Sequence, residues 1–169
     1  MSASRWGVLG LMGLFVGACA TTSGASVAPK AAPDFTLPAM GGGEVSLAAT
    51  RGSVTLVDFW ASWCAPCQQE LPELEKLKAI YESKGVKFVA VTIDEDREAA
   101  ADAAKRLGLT MMVALDAEKK AASLYNPPTM PSSYVLDRAG RIRFVHAGFD
   151  GTPDVKKFRE ELDALLAEP

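Results

Sequence analysis

The residues best equipped for chemistry in this chain are Cys64 and Cys67, separated only by Ala65 and Pro66. Two thiols at that spacing can close a small disulfide ring. The third cysteine, Cys19, lies far upstream and His146 is the single histidine, so a zinc site here would be short of ligands. The chemistry left to the pair is thiol–disulfide exchange, which proceeds through a thiolate rather than a thiol. Whether a thiolate forms near neutral pH depends on the elements that hold the two sulfurs.

Residues 54–60 form an apolar run that reads as a core strand. From Cys64 onward, Leu71, Leu74, Leu77 and Ile80 recur at helical spacing until Gly85, with Pro72 inside the helix and a kink expected there. The cysteines therefore fall where a strand ends and a helix begins. At such a helix N-terminus Cys64 faces unpaired backbone N–H groups and the positive end of the helix dipole, both of which favour the anion. Cys67, one turn further in and more buried, needs a base. Asp58 is an acid in an otherwise apolar strand, a costly placement without a purpose. Trp60 reads as core, or as a wall beneath the site, and Trp63 as a partly exposed contact surface.

The rest of the chain supplies a scaffold. Phe35 and Leu37, then Val45 and Leu47, flank Gly41-Gly42-Gly43 and predict an N-terminal hairpin. Residues 86–93 are nearly continuously apolar, as in a strand covered on both faces, and belong beside the 54–60 strand. Helices are predicted over 98–107 and 117–125, with a short strand at 111–115 between them. After the break at Asn126-Pro127-Pro128, strands at 133–136 and 142–147 form a hairpin around Asp137 to Gly140. A final helix over 155–166 carries Phe158, Leu162, Leu165 and Leu166 on one face. Alternating strands and helices followed by a hairpin indicate an α/β domain, a central mixed β-sheet flanked by helices. The run Asp94-Glu95-Asp96 reads as a solvated loop and His146 as a structural residue.

At 169 residues, 49% hydrophobic and 23% charged, the chain fits one globular domain with an appendage. A formal net charge of -3, dispersed along the sequence, offers no basic footprint for nucleic acid. Residues 1–18 carry one cation, Arg5, ahead of an apolar stretch too short to span a membrane comfortably, and read as an export signal. Residues 19–32, rich in Thr, Ser, Gly, Ala and Pro, read as a flexible tether, and residues 33–169 as the folded domain. Val16-Gly17-Ala18-Cys19 resembles a bacterial lipobox, in which the cysteine is acylated and becomes the mature N-terminus. The alternative is ordinary cleavage around Ala18-Cys19-Ala20, with no lipid.

Trp63-Cys64-Ala65-Pro66-Cys67 resembles the thioredoxin superfamily, and within it the TlpA and ResA type of exported thiol-disulfide oxidoreductase. The likeness covers about residues 33–169. It extends to Pro33-Asp34-Phe35-Thr36-Leu37, Arg51-Gly52, Pro72, Met130-Pro131, Tyr134-Val135-Leu136-Asp137, Gly140 and Gly148, and to an inserted strand and helix between Glu98 and Tyr125. The resemblance implies a thioredoxin-like fold with an N-terminal β-hairpin. It also implies Cys64 as nucleophile, Cys67 as resolving thiol, and Asp58 and Glu70 in proton transfer. Which of the two acids is the acceptor stays open, and Glu70 could instead be a solvated residue of the first helical turns.

The resemblance further implies a cis Met130-Pro131 bond, placing Met130 and Pro131 with Trp63, Ala65 and Pro66 against the partner. It implies a monomer with no cofactor beyond the redox-active disulfide, sitting in the cell envelope on the periplasmic side. A membrane thiol electron donor would recharge it, and its substrates would be exported cysteine-containing proteins, as in cytochrome c maturation or metal-site assembly. A reductase direction is expected, because Ala65-Pro66 keeps thioredoxin's proline and lacks the histidine of the oxidising type. The rivals are a thiol peroxidase of peroxiredoxin-like type, which lacks its proline and hydroxyl residue here (Val57 and Ala61), a copper-delivery module, for which the cysteine spacing is wrong, and a non-catalytic binding module, which would not need two intact cysteines. For the anchor, a Cys19→Ser variant is expected to leave the membrane fraction on cell fractionation, and equal partitioning of variant and parent would exclude the lipid.

Overall fold

The computed structural model describes residues 26–169, so the expected export signal over residues 1–18 and Cys19 lie outside the described residues. Its strands are β1 (Ser26–Ala31), β2 (Thr36–Pro38), β3 (Glu44–Ser46), β4 (Thr55–Trp60), β5 (Lys87–Thr92), β6 (Met112–Leu115), β7 (Ser132–Leu136) and β8 (Arg141–Ala147). The helices are α1 (Ala65–Tyr81), α2 (Arg97–Arg106), α3 (Lys120–Tyr125) and α4 (Thr152–Ala167). Six strands form one sheet in the order β1-β8-β7-β4-β5-β6. β4, β5 and β6 run parallel, while β7 opposes β4, β8 opposes β7 and β1 opposes β8. The expected mixed sheet flanked by helices is what forms, and β2 and β3 make the expected separate hairpin, with Gly42 and Gly43 in the left-handed region at its turn.

Alternation along β4 divides the core. Leu56 and Trp60 face one way with Leu71, Leu74 and Leu77 of α1 and Phe158, Leu162 and Leu165 of α4. Val57 and Phe59 face the other way, with Leu37 and Val45 of the hairpin and Ala121, Ala122 and Tyr125 of α3. Period two therefore puts Asp58 on the face covered by α1, directly under the helix that carries the cysteines.

Two expectations change. The tether assigned to residues 19–32 gives way to a strand over Ser26–Ala31, which pairs antiparallel with β8, Lys30 opposite Ile142 and Ala31 opposite Arg141. An edge strand is held by backbone hydrogen bonds and needs no apolar pattern, so composition could not reveal it. Ile80 is not on the buried face of α1 but exposed, and Tyr81 is buried in its place. Steps of three residues lag the helical turn, so Ile80 lies about 180° around the axis from Leu71. Pro72 sits within α1 as expected, leaving the Gln68 carbonyl without its usual donor.

This difference within one periodic set is measurable in denaturant midpoints. Leu74→Ala is expected to cost about 2–5 kcal/mol of stability, and Ile80→Ala about 1 kcal/mol or less.

Candidate functional site

β4 is buried along its whole length and ends at Trp60, and the next four residues turn the chain into α1. That turn is fastened from a neighbouring strand end. Asp94, just beyond β5, is buried; its Oδ2 accepts the Ser62 backbone N–H at 2.8 Å and its Oδ1 accepts the Ser62 hydroxyl at 2.8 Å. The Thr92 hydroxyl donates to the same carboxylate at 2.6 Å, and Gln68 Nε2 donates to the Ser62 carbonyl at 2.8 Å. Asp94 is thus no solvated loop residue. The parallel register sets Thr92 against Trp60, which brings the residue two beyond each strand end together. Asp96, by contrast, caps α2 through its Oδ1.

Held in this way, Cys64 becomes the N-cap of α1, its Sγ accepting the Cys67 backbone N–H at 3.2 Å. Ala65 and Pro66 open the helix, where proline's missing N–H costs nothing, and no acid stands in the first turn to offset the positive end of the dipole. Cys64 and Cys67 are joined in a disulfide, with Cα atoms 5.3 Å apart. Cys67 is fully enclosed, Cys64 retains slight exposure, and around it Trp63 (68% exposed), Ala65 and Pro66 form an apolar rim. Trp60 lies in the core beneath, as expected.

Two buried acids meet between β4 and α1. Glu70, one helical turn past Cys67, is 1% exposed, which excludes the solvated reading, and Asp58 is 0% exposed. Ser133, register partner of Asp58 across the β4–β7 pair, places its Oγ 2.8 Å from Asp58 Oδ1 and 3.0 Å from Glu70 Oε1. The remaining oxygens, Asp58 Oδ2 and Glu70 Oε2, have no protein partner. Burial pushes the Asp58 carboxyl up to about 8 against the pull of the Ser133 hydroxyl. Burial, followed by the charge of Asp58, pushes Glu70 up to about 10, with Asp154 of α4 adding a smaller push. Burial and mutual repulsion therefore oppose ionisation of both carboxyls together, so the pair keeps a proton where ordinary carboxyls have released theirs.

Met130 and Pro131 precede β7. Their peptide bond is cis, Pro131 is buried, and half-buried Met130 packs against the core cluster that contains Cys64 and Cys67. His146 is structural: its Nε2 lies 2.7 Å from Glu161 Oε2 and its ring rests on Phe158, tying β8 to α4. Ser133 and Ser62 were not singled out in the sequence, and Asp94 was read there only as part of a solvated loop. Ser133 carried the same signal as Asp58, a polar residue in an apolar strand. Among the described residues no group of three His, Cys, Asp or Glu side chains could hold a metal ion, and no helix is long and apolar enough to cross a membrane.

The chain is similar in sequence and fold to known proteins. The Redoxin family profile matches residues 28–162. The thiol-disulfide oxidoreductase ResA of Geobacillus kaustophilus is 30% identical over 131 residues, 78% of this chain and 75% of that protein. The thioredoxin-like protein YneN of Bacillus subtilis is 37% identical over 134 residues, 78% of this chain and 76% of its own. Among solved structures, a Chlorobium tepidum protein described as a candidate thiol:disulfide interchange protein DsbE superposes with a TM-score of 0.77 at 34% identity, covering 86% of this chain and 98% of that one.

The raised carboxyls have a signature in stability. The folded state keeps protons that the unfolded chain releases near pH 4, so stability falls as pH rises from there toward the folded values. Asp58→Asn removes one such group and relieves Glu70 of its charged neighbour. Denaturant midpoints of the oxidised protein are expected to decline less in the variant than in the parent between about pH 5 and about pH 8.

Proposed function

The chain belongs to the Redoxin family and is a ResA-type, thioredoxin-like protein thiol-disulfide oxidoreductase; from that premise we propose that it reduces disulfides in exported proteins. The observation that carries this reading is the placement of Cys64. It caps α1 at the dipole's positive end, inside an exposed apolar rim, while Cys67 is sealed beneath it. In the reduced protein the Cys64 thiolate attacks a partner disulfide, forming a mixed disulfide and expelling one partner sulfur as thiolate. Cys67 gives its proton to the Asp58–Glu70 pair and attacks the Cys64 sulfur. The second partner sulfur leaves, and the Cys64–Cys67 disulfide closes.

Trp63, Ala65 and Pro66 supply the surface on which the partner docks, and Met130 and Pro131 meet its extended backbone from the other side. The substrates are exported cysteine-containing proteins, such as those of cytochrome c maturation or metal-site assembly. Electrons return from a membrane thiol donor. The protein works as a monomer on the periplasmic side of the cell envelope, held there by a lipid on Cys19. No cation stands between the cysteines to stabilise the reduced form, and this favours the reducing direction.

Equilibration of the Cys64–Cys67 couple against glutathione or dithiothreitol redox buffers tests the direction. A potential nearer thioredoxin's value of about -270 mV is expected, and one near the about -120 mV of strong oxidants would overturn the reductase reading.

A further inference from the structure

The three-way contact at Ser133 is more restrictive than two hydrogen bonds in a core. Its Oγ lies 2.8 Å from Asp58 Oδ1 and 3.0 Å from Glu70 Oε1, both within hydrogen-bond reach. A serine hydroxyl has one hydrogen to donate, and an ionised carboxylate only accepts. Ser133 can donate to one acid alone, so the other must carry a proton of its own and donate it to Ser133 Oγ. Were both acids ionised, one contact would set a carboxylate against hydroxyl lone pairs in a site closed to solvent, since Asp58, Glu70 and Ser133 are all at most 1% exposed.

We infer that Ser133 is a positioning residue which joins Asp58 and Glu70 into a single proton-holding unit, its hydroxyl donating to one carboxyl and accepting from the other. Two arrangements of the same hydrogens are available. In one, Asp58 is the anion and accepts from Ser133 while Glu70 donates. In the other, the Glu70 proton has passed to Ser133 and the Ser133 hydrogen to Asp58, so the charge has moved to Glu70 with no heavy atom displaced. Its role in turnover rests on the thiol–disulfide reading; its existence does not. When Cys67 resolves a mixed disulfide, the ionised member takes the thiol proton and both acids become neutral. Cys67 then forms its bond to the Cys64 sulfur as the bond from Cys64 to the partner breaks, leaving the partner as thiolate.

The groups around the unit are consistent with one shared negative charge. Asp154 on α4 opposes a second. On β8, His146, register partner of Ser133, is engaged with Glu161. On β5 the residue opposite Asp58 is Ala90, so no cation faces the pair from that strand.

Carboxyl-carbon NMR titration of the oxidised protein reads the bridge without turnover. In the parent, the Asp58 and Glu70 signals are expected to move together through the same two steps. In Ser133→Ala only the charge repulsion between the acids remains, so each carboxyl should follow mainly one step and the two curves should draw apart, and the rate of mixed-disulfide resolution should lose its parental pH profile, falling on the order of tenfold near neutral pH. Independent titration in the parent, or a Ser133→Ala titration that superimposes on the parent's, would overturn the inference. Coupled titration in a protein that fails to cycle would sink the redox reading and leave the bridge standing. Uncoupled titration in a protein that cycles would sink the bridge alone.

Discussion

Asp58 and Glu70 meet at one serine hydroxyl, out of water, in the seam between β4, β7 and α1. Two carboxyls so placed lose their hydration and, if both ionise, repel each other, so the fold does not tolerate both as anions and at least one keeps its proton. That constraint reaches outward. It requires a flat sheet face on which a β4 side chain and a β7 side chain lie level, and a helix passing close enough to lower Glu70 onto both. The leucines of α1 and the apolar face of α4 supply that closeness, and the same packing seals Cys67. A pair that shares a proton is thereby kept within the layer that holds the inner sulfur.

The outer sulfur is governed differently. Cys64 owes its position to a short turn whose backbone is bonded to Asp94, which sits past the end of the adjacent parallel strand. One acid therefore holds the turn that carries the attacking thiol, while two others are buried between β4, β7 and the helix that carries the resolving one. The division follows from topology, because parallel β4 and β5 end at the same level and their loops must touch.

Much of this was legible in the sequence where a residue contradicts its own surroundings. Asp58 stood out as an acid in an apolar strand, and Cys64 and Cys67 by spacing alone. Glu70 gave no such signal: at a helix position near the N-terminus an acid is ordinary, and only resemblance marked it. Ser133 and Asp94 were hidden for a different reason. Their partners are 75, 63 and 32 residues away, and the contacts exist only once strand register is known. Ile80 misled because a threefold spacing mimics a helical stripe for two turns and then drifts off it. β1 was missed because its pairing is made by the backbone, which composition does not report.

That first strand also fixes a direction. β1 runs antiparallel to β8, from Ser26 beside Phe144 to Ala31 beside Arg141, and the far end of β8, at Ala147, is level with Ser132 and so with Phe59 near the close of β4. The polypeptide therefore descends into the sheet from the end that bears the cysteines, with Pro29 and Lys30 exposed along the outer edge, where they discourage another strand from adding. β1 therefore opens toward the redox end of the sheet and closes at the opposite end.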